Sequence, residues 1–183
     1  MSEADRLLGR GRHLDLIDRS GWEFVSRRRG REVVGIVAWT REDRLLLVEQ
    51  DRPAVGGRTI ELPAGLVGDE AGCEEESLER AAARELLEET GHAAERWTRL
   101  ARGAASSGLA SEMVTLLVAH DLRRLAEGGG VGDERIVVHE VPRHGLDEWL
   151  AAREAEGLVV DIKVPMAKLV PAVRDPGTRD WIP

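Results

Sequence analysis

The chain has 183 residues, with 34 acidic against 26 basic side chains and a formal net charge of −8. This length suits one domain with a real core, and 42% hydrophobic with 33% charged content implies a soluble globular protein rather than a disordered or fibrous one. The acidic balance argues against a general nucleic-acid-binding surface, the lone cysteine, Cys73, excludes an intrachain disulfide, and no apolar run of about 18 residues is present to span a membrane.

In chain order, residues 1–20 are polar and charged and read as a loosely held N-terminal segment, with the folded domain expected over residues 21–183. The start Met1-Ser2-Glu3-Ala4-Asp5 is acidic rather than a basic leader, so a cytoplasmic protein is expected. Trp22 to Ser26 alternates weakly and predicts a strand. Arg27 to Arg31 reads as a charged hairpin turn. Glu32 to Thr40, rich in valine and isoleucine, predicts a buried strand. Arg41-Glu42-Asp43 is a turn into a further strand over Arg44 to Gln50. Ile60-Glu61-Leu62 predicts a short strand before Pro63.

A helix is predicted over Glu74 to Glu89, with an acidic first turn that suits its dipole and a packing side of Ala82, Ala83, Leu86 and Leu87. Strands are predicted over Trp97 to Arg102, Met113 to His120 and Arg135 to Val141. Leu146 to Glu156 reads as an amphipathic helix closed by Gly157, and a last helix is expected to start near Pro165. Strands, a helix between them, then more strands and helices imply an α/β class with a mixed sheet.

The chemistry concentrates in Arg84-Glu85-Leu86-Leu87-Glu88-Glu89-Thr90-Gly91. On a helix, at roughly 100° per residue, Glu85, Glu88 and Glu89 share one face. Their charges repel, and two of them lie in the last turn, where the dipole disfavours anions. Glu-rich faces are often just solvated. The alternative is a divalent cation, most naturally Mg²⁺, since hard cations take carboxylate oxygens. The five histidines and Cys73 show no metal-ligand spacing. Ser106-Ser107-Gly108 lacks the flanks of a nucleophile elbow, and the glycines from Gly128 to Gly132 open onto no lysine-containing phosphate loop.

The surrounding residues carry a longer pattern. Glu76, seven residues, Arg84, Glu85, Leu86, one residue, Glu88, Glu89, one residue and Gly91 match the signature G-x5-E-x7-R-E-U-x-E-E-x-G-U position by position, with U a bulky aliphatic. The chain thereby resembles the Nudix hydrolases. It departs twice. Ten residues rather than five separate Gly65 from Glu76, which reads as a lengthened loop. His92 stands at the last aliphatic position, which reads as a surface substitution.

The outer residues are similar to the branch that hydrolyses ADP-ribose and nucleoside diphosphate sugars. Gln50, Arg52 and Pro53 followed by Glu61, Pro63, Ala64 and Gly65 match that branch, as do Gly108 and Glu112, although Ser107 stands where the branch has proline. The resemblance implies the Nudix fold, an α/β/α sandwich with a mixed β-sheet, and Mg²⁺-dependent cleavage of a pyrophosphate bond, with Mn²⁺ as a substitute. ADP-ribose, giving AMP and ribose 5-phosphate, is the first choice. The alternatives are GDP-mannose or another nucleotide sugar, or a non-catalytic sensor of ADP-ribose. A sensor should have lost the box carboxylates or gained a DNA-binding module, and this sequence has done neither.

Residue by residue, the resemblance implies metal binding by Glu85, Glu89 and the Ala64 carbonyl, with Glu88 a further ligand or acting through water. It makes Arg84 the residue that orients these carboxylates and Glu76 a brace at the loop–helix junction. The general base is expected from the later acidic loop, with Glu134 first, Asp133 second and Glu112 third. Substrate contacts are expected from Arg52, Glu61, Glu112 and Trp22. For Arg52 the competing reading is a surface arginine, and for Trp22 or Phe24, as base-stacking aromatics, it is a core position. The resemblance also implies a homodimer in which N-terminal strands help build the partner's substrate site, with Trp22, Phe24 and Val33 to Val37 as its apolar surface. The expected partners are this second copy and a small nucleoside diphosphate sugar, with no nucleic acid and no membrane.

Overall fold

The computed structural model describes residues 5–30, 32–69, 75–132 and 134–171. Residues 1–4 lie outside the described residues, and from Arg6 on the N-terminal segment is ordered into strands rather than loosely held. β1 (Arg6–Arg10), β2 (Leu14–Arg19) and β3 (Trp22–Arg27) form a three-stranded antiparallel sheet. Ion pairs between Arg6 and Asp18 at 2.6 Å and Arg10 and Asp15 at 3.1 Å clip β1 to β2. The chain then leaves this sheet, so Arg27 to Arg31 is a connection between sheets rather than a hairpin turn; Arg31 lies outside the described residues.

Two four-stranded sheets make the centre. In one, β4 (Glu32–Ala38) lies between β7 (Ala64–Leu66) and β10 (Met113–His120), with β9 (Arg96–Ala104) on the outer side of β10. The β4–β10 pair is parallel and its neighbours are antiparallel. In the other, the order is β12 (Val137–Pro142), β5 (Arg44–Arg52), β6 (Gly57–Glu61) and β13 (Val159–Val160), with β6 and β13 parallel. The predicted turn after β4 holds, with Asp43 in a left-handed conformation, but β4 and β5 belong to different sheets, and an isolated Trp39–Leu45 bridge spans the turn between them. A two-stranded ribbon joins β8 (His92–Ala93) to β11 (Arg123–Arg124).

Strand side chains alternate between two apolar layers, as the period of two dictates. Val34, Ile36 and Ala38 of β4 and Leu46 of β5 meet Ala81, Ala82 and Leu86 of α1 (Leu78–Thr90). Val37, Trp39, Leu45 and Leu47 point the other way, toward Leu146 and Leu150 of α2 (Leu146–Ala155) and Val164 and Ala167 of the 3₁₀ turn Val164–Leu169. Helices therefore cover both sides of the strands, which is the α/β/α arrangement.

Several local expectations change. The α1 packing side is Ala81, Ala82 and Leu86, while Ala83 and Leu87 face solvent. The helix begins at Leu78, behind a Ser77 cap whose hydroxyl accepts from the Arg80 N–H; Cys73 and Glu74 lie outside the described residues. The segment at Pro165 is a 3₁₀ turn, not a helix, within the described residues. Val34, Ile36 and Val37 are fully enclosed in the chain's own core, so most of that strand is not the interface surface expected of it. His92 is buried rather than a surface substitution, with its Nδ1 2.9 Å from the Thr90 carbonyl. Among the described residues no helix is long and apolar enough to cross a membrane.

Candidate functional site

Glu85, Glu88 and Glu89 occupy the last turns of α1, which closes on Gly91 in the left-handed conformation and carries no basic residue in its final turn. Side-chain Glu89 is almost enclosed, and its Oε2 accepts the Ala64 N–H at 3.0 Å. β7 brings Ala64 there because it pairs with β4, Ala64 lying opposite Gly35. Glu85 lies over Gly65, where an added Cβ would sit 1.8 Å from its Oε1 and push that carboxylate aside.

Arg84 gathers the acids. Its Nη1 donates to Glu85 at 2.7 Å and lies 3.5 Å from Glu88. Its Nη2 donates to Glu76 at 3.3 Å and to the Leu66 carbonyl at 3.2 Å. Glu76 also accepts the Gly68 N–H at 3.5 Å, which is the brace between loop and helix expected of it.

For Glu85 and Glu89 burial outweighs the partners present. Burial raises the Glu85 carboxyl to about 7, Arg84 opposing it while Glu88 and Asp69 add to it. Burial raises Glu89 to about 8; the Ala64 N–H opposes, the Glu85 and Glu134 charges add, and Arg52 opposes. Beside them Arg52 forks onto Glu61, Nε to Oε1 at 2.7 Å and Nη2 to Oε2 at 2.8 Å. Burial would raise the Glu61 carboxyl, but Arg52 and the Thr59 hydroxyl outweigh it and hold it below its ordinary value.

The glycine-rich segment before Glu134 connects β11 to β12, and it docks on the end of α1. Gly129 and Gly130 donate their N–H groups to the Glu89 and Glu88 carbonyls at 2.8 and 3.0 Å. Orphan carbonyls at the helix end are thus satisfied by backbone N–H groups and not by a cationic side chain. Glu134 Oε2 accepts the Val131 N–H at 3.0 Å, and its charge is felt at Glu89. Asp133 lies outside the described residues.

Within one chain, Arg52, Glu61, Ala64, Arg84, Glu85, Glu88, Glu89 and Glu134 thus form one neighbourhood. Trp22 and Glu112 belong to another. Trp22 is 63% exposed and donates its indole N–H to the Gly108 carbonyl at 3.3 Å. Glu112 pairs with Arg27 beside Leu14, Val25 and Ala110. Phe24 is half-buried, with the Arg19 guanidinium 5.0 Å above its ring.

Sequence reasoning missed Asp69, Thr59, Asp161 and Lys163. Asp161 and Lys163 form an ion pair at 2.6 Å whose charges act on the Arg52–Glu61 fork. They reach it because β13 runs in register with β6, Val160 opposite Ile60. No spacing in the sequence signals that pairing; for Asp69 the signal was its place in the lengthened loop.

The donor set suits a hard divalent cation: it is all oxygen, concentrated on one helix turn and short of positive charge. Among the described residues no three acidic, histidine or cysteine side chains are already drawn around one point. Glu85 is turned to Arg84 and Glu89 to the Ala64 N–H, so holding an ion requires those side chains to turn.

A NUDIX domain model matches residues 29–173. An ADP-ribose pyrophosphatase of Bacillus subtilis (strain 168) is 34% identical over 122 residues, 66% of this chain and 63% of that protein. A methanol dehydrogenase activator of Bacillus methanolicus is 35% identical over 104 residues, 57% of this chain and 54% of that protein. The chain therefore matches less than two thirds of the length of either relative. A solved structure described as an ADP compounds hydrolase shares the fold, with a TM-score of 0.62, 24% identity, and coverage of 84% of this chain and 86% of that one. Since one family model accounts for residues 29–173, the chain belongs to the Nudix family.

Proposed function

We propose that this chain hydrolyses the pyrophosphate bond of a nucleoside diphosphate sugar, with ADP-ribose giving AMP and ribose 5-phosphate as the first choice, using Mg²⁺ or Mn²⁺ in a reducing, cytoplasmic setting. The observation that carries the reading is the crowding of Glu85, Glu88 and Glu89 on the last turns of α1, Glu89 almost enclosed against the Ala64 N–H and Glu85 and Glu88 sharing the one Arg84 guanidinium, with burial pushing the Glu85 and Glu89 carboxyls upward. Carboxylates placed so are expensive unless a cation completes the site. The relative in Bacillus subtilis is itself named an ADP-ribose pyrophosphatase.

A divalent cation bound by Glu85, Glu89 and the Ala64 carbonyl, with Glu88 direct or through water, would supply charge for the diphosphate and acidify water. The chain's own groups do the rest. Arg84 holds the rotamers of Glu85 and Glu88. Arg52 keeps one guanidinium nitrogen, Nη1, outside its fork with Glu61 and offers it to a phosphate oxygen. Glu134 takes the proton of the attacking water as its oxygen bonds to phosphorus and the bridging P–O bond breaks.

Trp22 and Glu112 fit this reading through a second copy. β2 presents Leu14 and Leu16, and β1 presents Leu7 and Leu8, all to solvent. An apolar face of this kind suits a homodimer in which one copy's N-terminal sheet carries Trp22 and Glu112 to its partner's glutamates.

The test is a panel of ADP-ribose, GDP-mannose and other nucleotide sugars with product identification, run with chelator and with added Mg²⁺ or Mn²⁺. Activity should vanish with chelator and return with metal. Full turnover in metal-free buffer refutes the reading. Ser107, standing where the ADP-ribose branch has proline, favours the second reading to the extent that GDP-mannose outpaces ADP-ribose about tenfold at equal subsaturating concentration.

A further inference from the structure

We propose that Asp161 and Lys163, at the carboxyl end of β13, grip the hydroxyl groups of the sugar beyond the diphosphate and so set a preference for nucleotide sugars over other diphosphate diesters. This rests on the pyrophosphatase reading given above.

The sheet places the pair. β6 and β13 run parallel, so their carboxyl ends open on the same edge, where α/β sheets hold their ligands. Glu61 ends β6, and Ala64, just beyond it, donates its N–H to Glu89 at 3.0 Å. Asp161 follows β13, and its N–H carries the pairing one step further by donating to the Ile60 carbonyl at 2.9 Å. Arg52 holds Glu61 from the β5 side, and β13 flanks β6 on the other. The charges follow the same order: Arg52 is acted on by both Glu89 and Asp161, and Glu61 by Lys163. A diphosphate that reaches from the glutamates to Arg52 Nη1 therefore brings its next group toward Asp161 and Lys163.

The pair is both fixed and reachable. Asp161 Oδ1 accepts the Lys163 N–H at 2.7 Å and its Oδ2 accepts Lys163 Nζ at 2.6 Å, while the Asp161 carbonyl accepts the Val164 N–H at 2.9 Å. The two side chains are 24% and 25% exposed. Among the described residues Asp161 is the one acceptor of that ammonium, which leaves two of its three hydrogens for a ligand. Holding the turn takes only Asp161, and Lys163 adds donors that the turn does not use. The chemistry favours a neutral, hydroxylated group. Opposite charges this close largely cancel, so the pair attracts a further phosphate little, whereas its carboxylate accepts from a hydroxyl and its ammonium donates to one.

The probes are the nucleotide sugar that wild type hydrolyses fastest and the methyl ester of the same nucleoside diphosphate, which keeps both phosphate charges and lacks the sugar. Lys163→Met should raise KM for the nucleotide sugar about tenfold, leave its kcat within about twofold, and leave kcat/KM for the methyl ester within about twofold. Lys163→Arg keeps donors at that place and should recover most of the loss. Asp161→Asn keeps the acceptor that holds the turn and should lower the same preference, so it carries the test if Lys163→Met does not fold. Wild type gives a second measurement, since Lys163 and Lys168 are its only lysines. After reductive ¹³C-methylation of the amino groups, the sugar phosphate released from that substrate should move the Lys163 signal and methyl phosphate should not. The signal of Lys168, whose ammonium is paired with Asp147, should stay in place with either.

An unchanged KM in Lys163→Met, or an equal loss on both compounds, overturns the proposal, the second because a plain charge or folding effect strikes both alike. So does a wild type that hydrolyses the methyl ester as well as the nucleotide sugar, or a Lys163 signal that both phosphates, or neither, displace. Each of these results leaves the pyrophosphatase reading standing. A wild type that hydrolyses no nucleotide sugar overturns the two together.

Discussion

Replacing Glu89 by glutamine should stabilise the cation-free protein, and more so as pH rises. Glu89 is 5% exposed and its carboxyl stands at about 8 against an ordinary 4.5. Between those values the folded chain keeps a proton that the unfolded chain has released. Stability is therefore complete below about 4.5 and falls as pH rises, until about 8. At 1.36 kcal/mol per pH unit, the interval from 4.5 to 7 amounts to about 3 kcal/mol, and full ionisation to about 5 kcal/mol. Glutamine keeps the acceptor for the Ala64 N–H and never ionises. Urea denaturation in chelator at pH 5, 7 and 8.5 (about half a unit either side is immaterial) should show the gap between Glu89→Gln and wild type widening with pH, toward about 3 kcal/mol near neutrality. Added Mg²⁺ should stabilise the wild type and leave the variant nearly unmoved, and hydrolysis should fall by orders of magnitude. A pH-independent gap would mean that Glu89 carries no such charge cost. A variant less stable than wild type in chelator would make Glu89 a structural residue and undo the argument.

Glu134→Gln should lower kcat by about 10² to 10⁴ with KM little changed, because a base acts on water in the transition state; an unchanged kcat moves the role to Glu112 or Glu88. Arg52→Met leaves the enclosed Glu61 without its fork and should cost about 3 kcal/mol in stability while raising KM, and wild-type values of both by calorimetry and kinetics would count against the pairing. Leu16→Glu on the exposed face of β2 should turn a dimer into a monomer by light scattering, whereas a wild type already monomeric at micromolar concentration would sink the exchanged-site reading.

The central strands were legible because their side chains obey one dominant force. Leu45, Leu46 and Leu47, or Val34, Ile36 and Val37, form runs that no solvated element tolerates. β1 and β2 were not, because Arg6-Leu7-Leu8-Gly9-Arg10 and Leu14-Asp15-Leu16-Ile17-Asp18 hold one another by cross-strand ion pairs and leave leucines exposed. Such strands have no buried face to announce them until the partner strand is known. The division into sheets was equally hidden. Glu32 of β4 pairs with Met113 of β10, and nothing local at either end records a pairing across that distance. His92 was misread for the same reason: a ribbon with Arg124 and a carbonyl at Thr90 make its burial tolerable, and both depend on the folded chain.

The site divides along the same line. The conflict was local and readable: acids clustered at the end of a helix whose dipole opposes them. What answers the conflict is distant. The Ala64 N–H comes from β7, Arg52 from β5, and the carbonyls of Glu88 and Glu89 are capped by Gly130 and Gly129 from the segment before β12. Each answer is partial. The two glycine N–H groups bring no full charge to the negative end of α1. Arg52 is already divided with Glu61, and Arg84 with Glu76. Glu85 and Glu89 are left raised to about 7 and about 8 after all of them have acted. A chain that needed only to fold would have placed a lysine or arginine in that last turn. This one shares Arg52 with Glu61 and Arg84 with Glu76, and that division favours the cation site proposed for the cluster over a closed salt-bridge network.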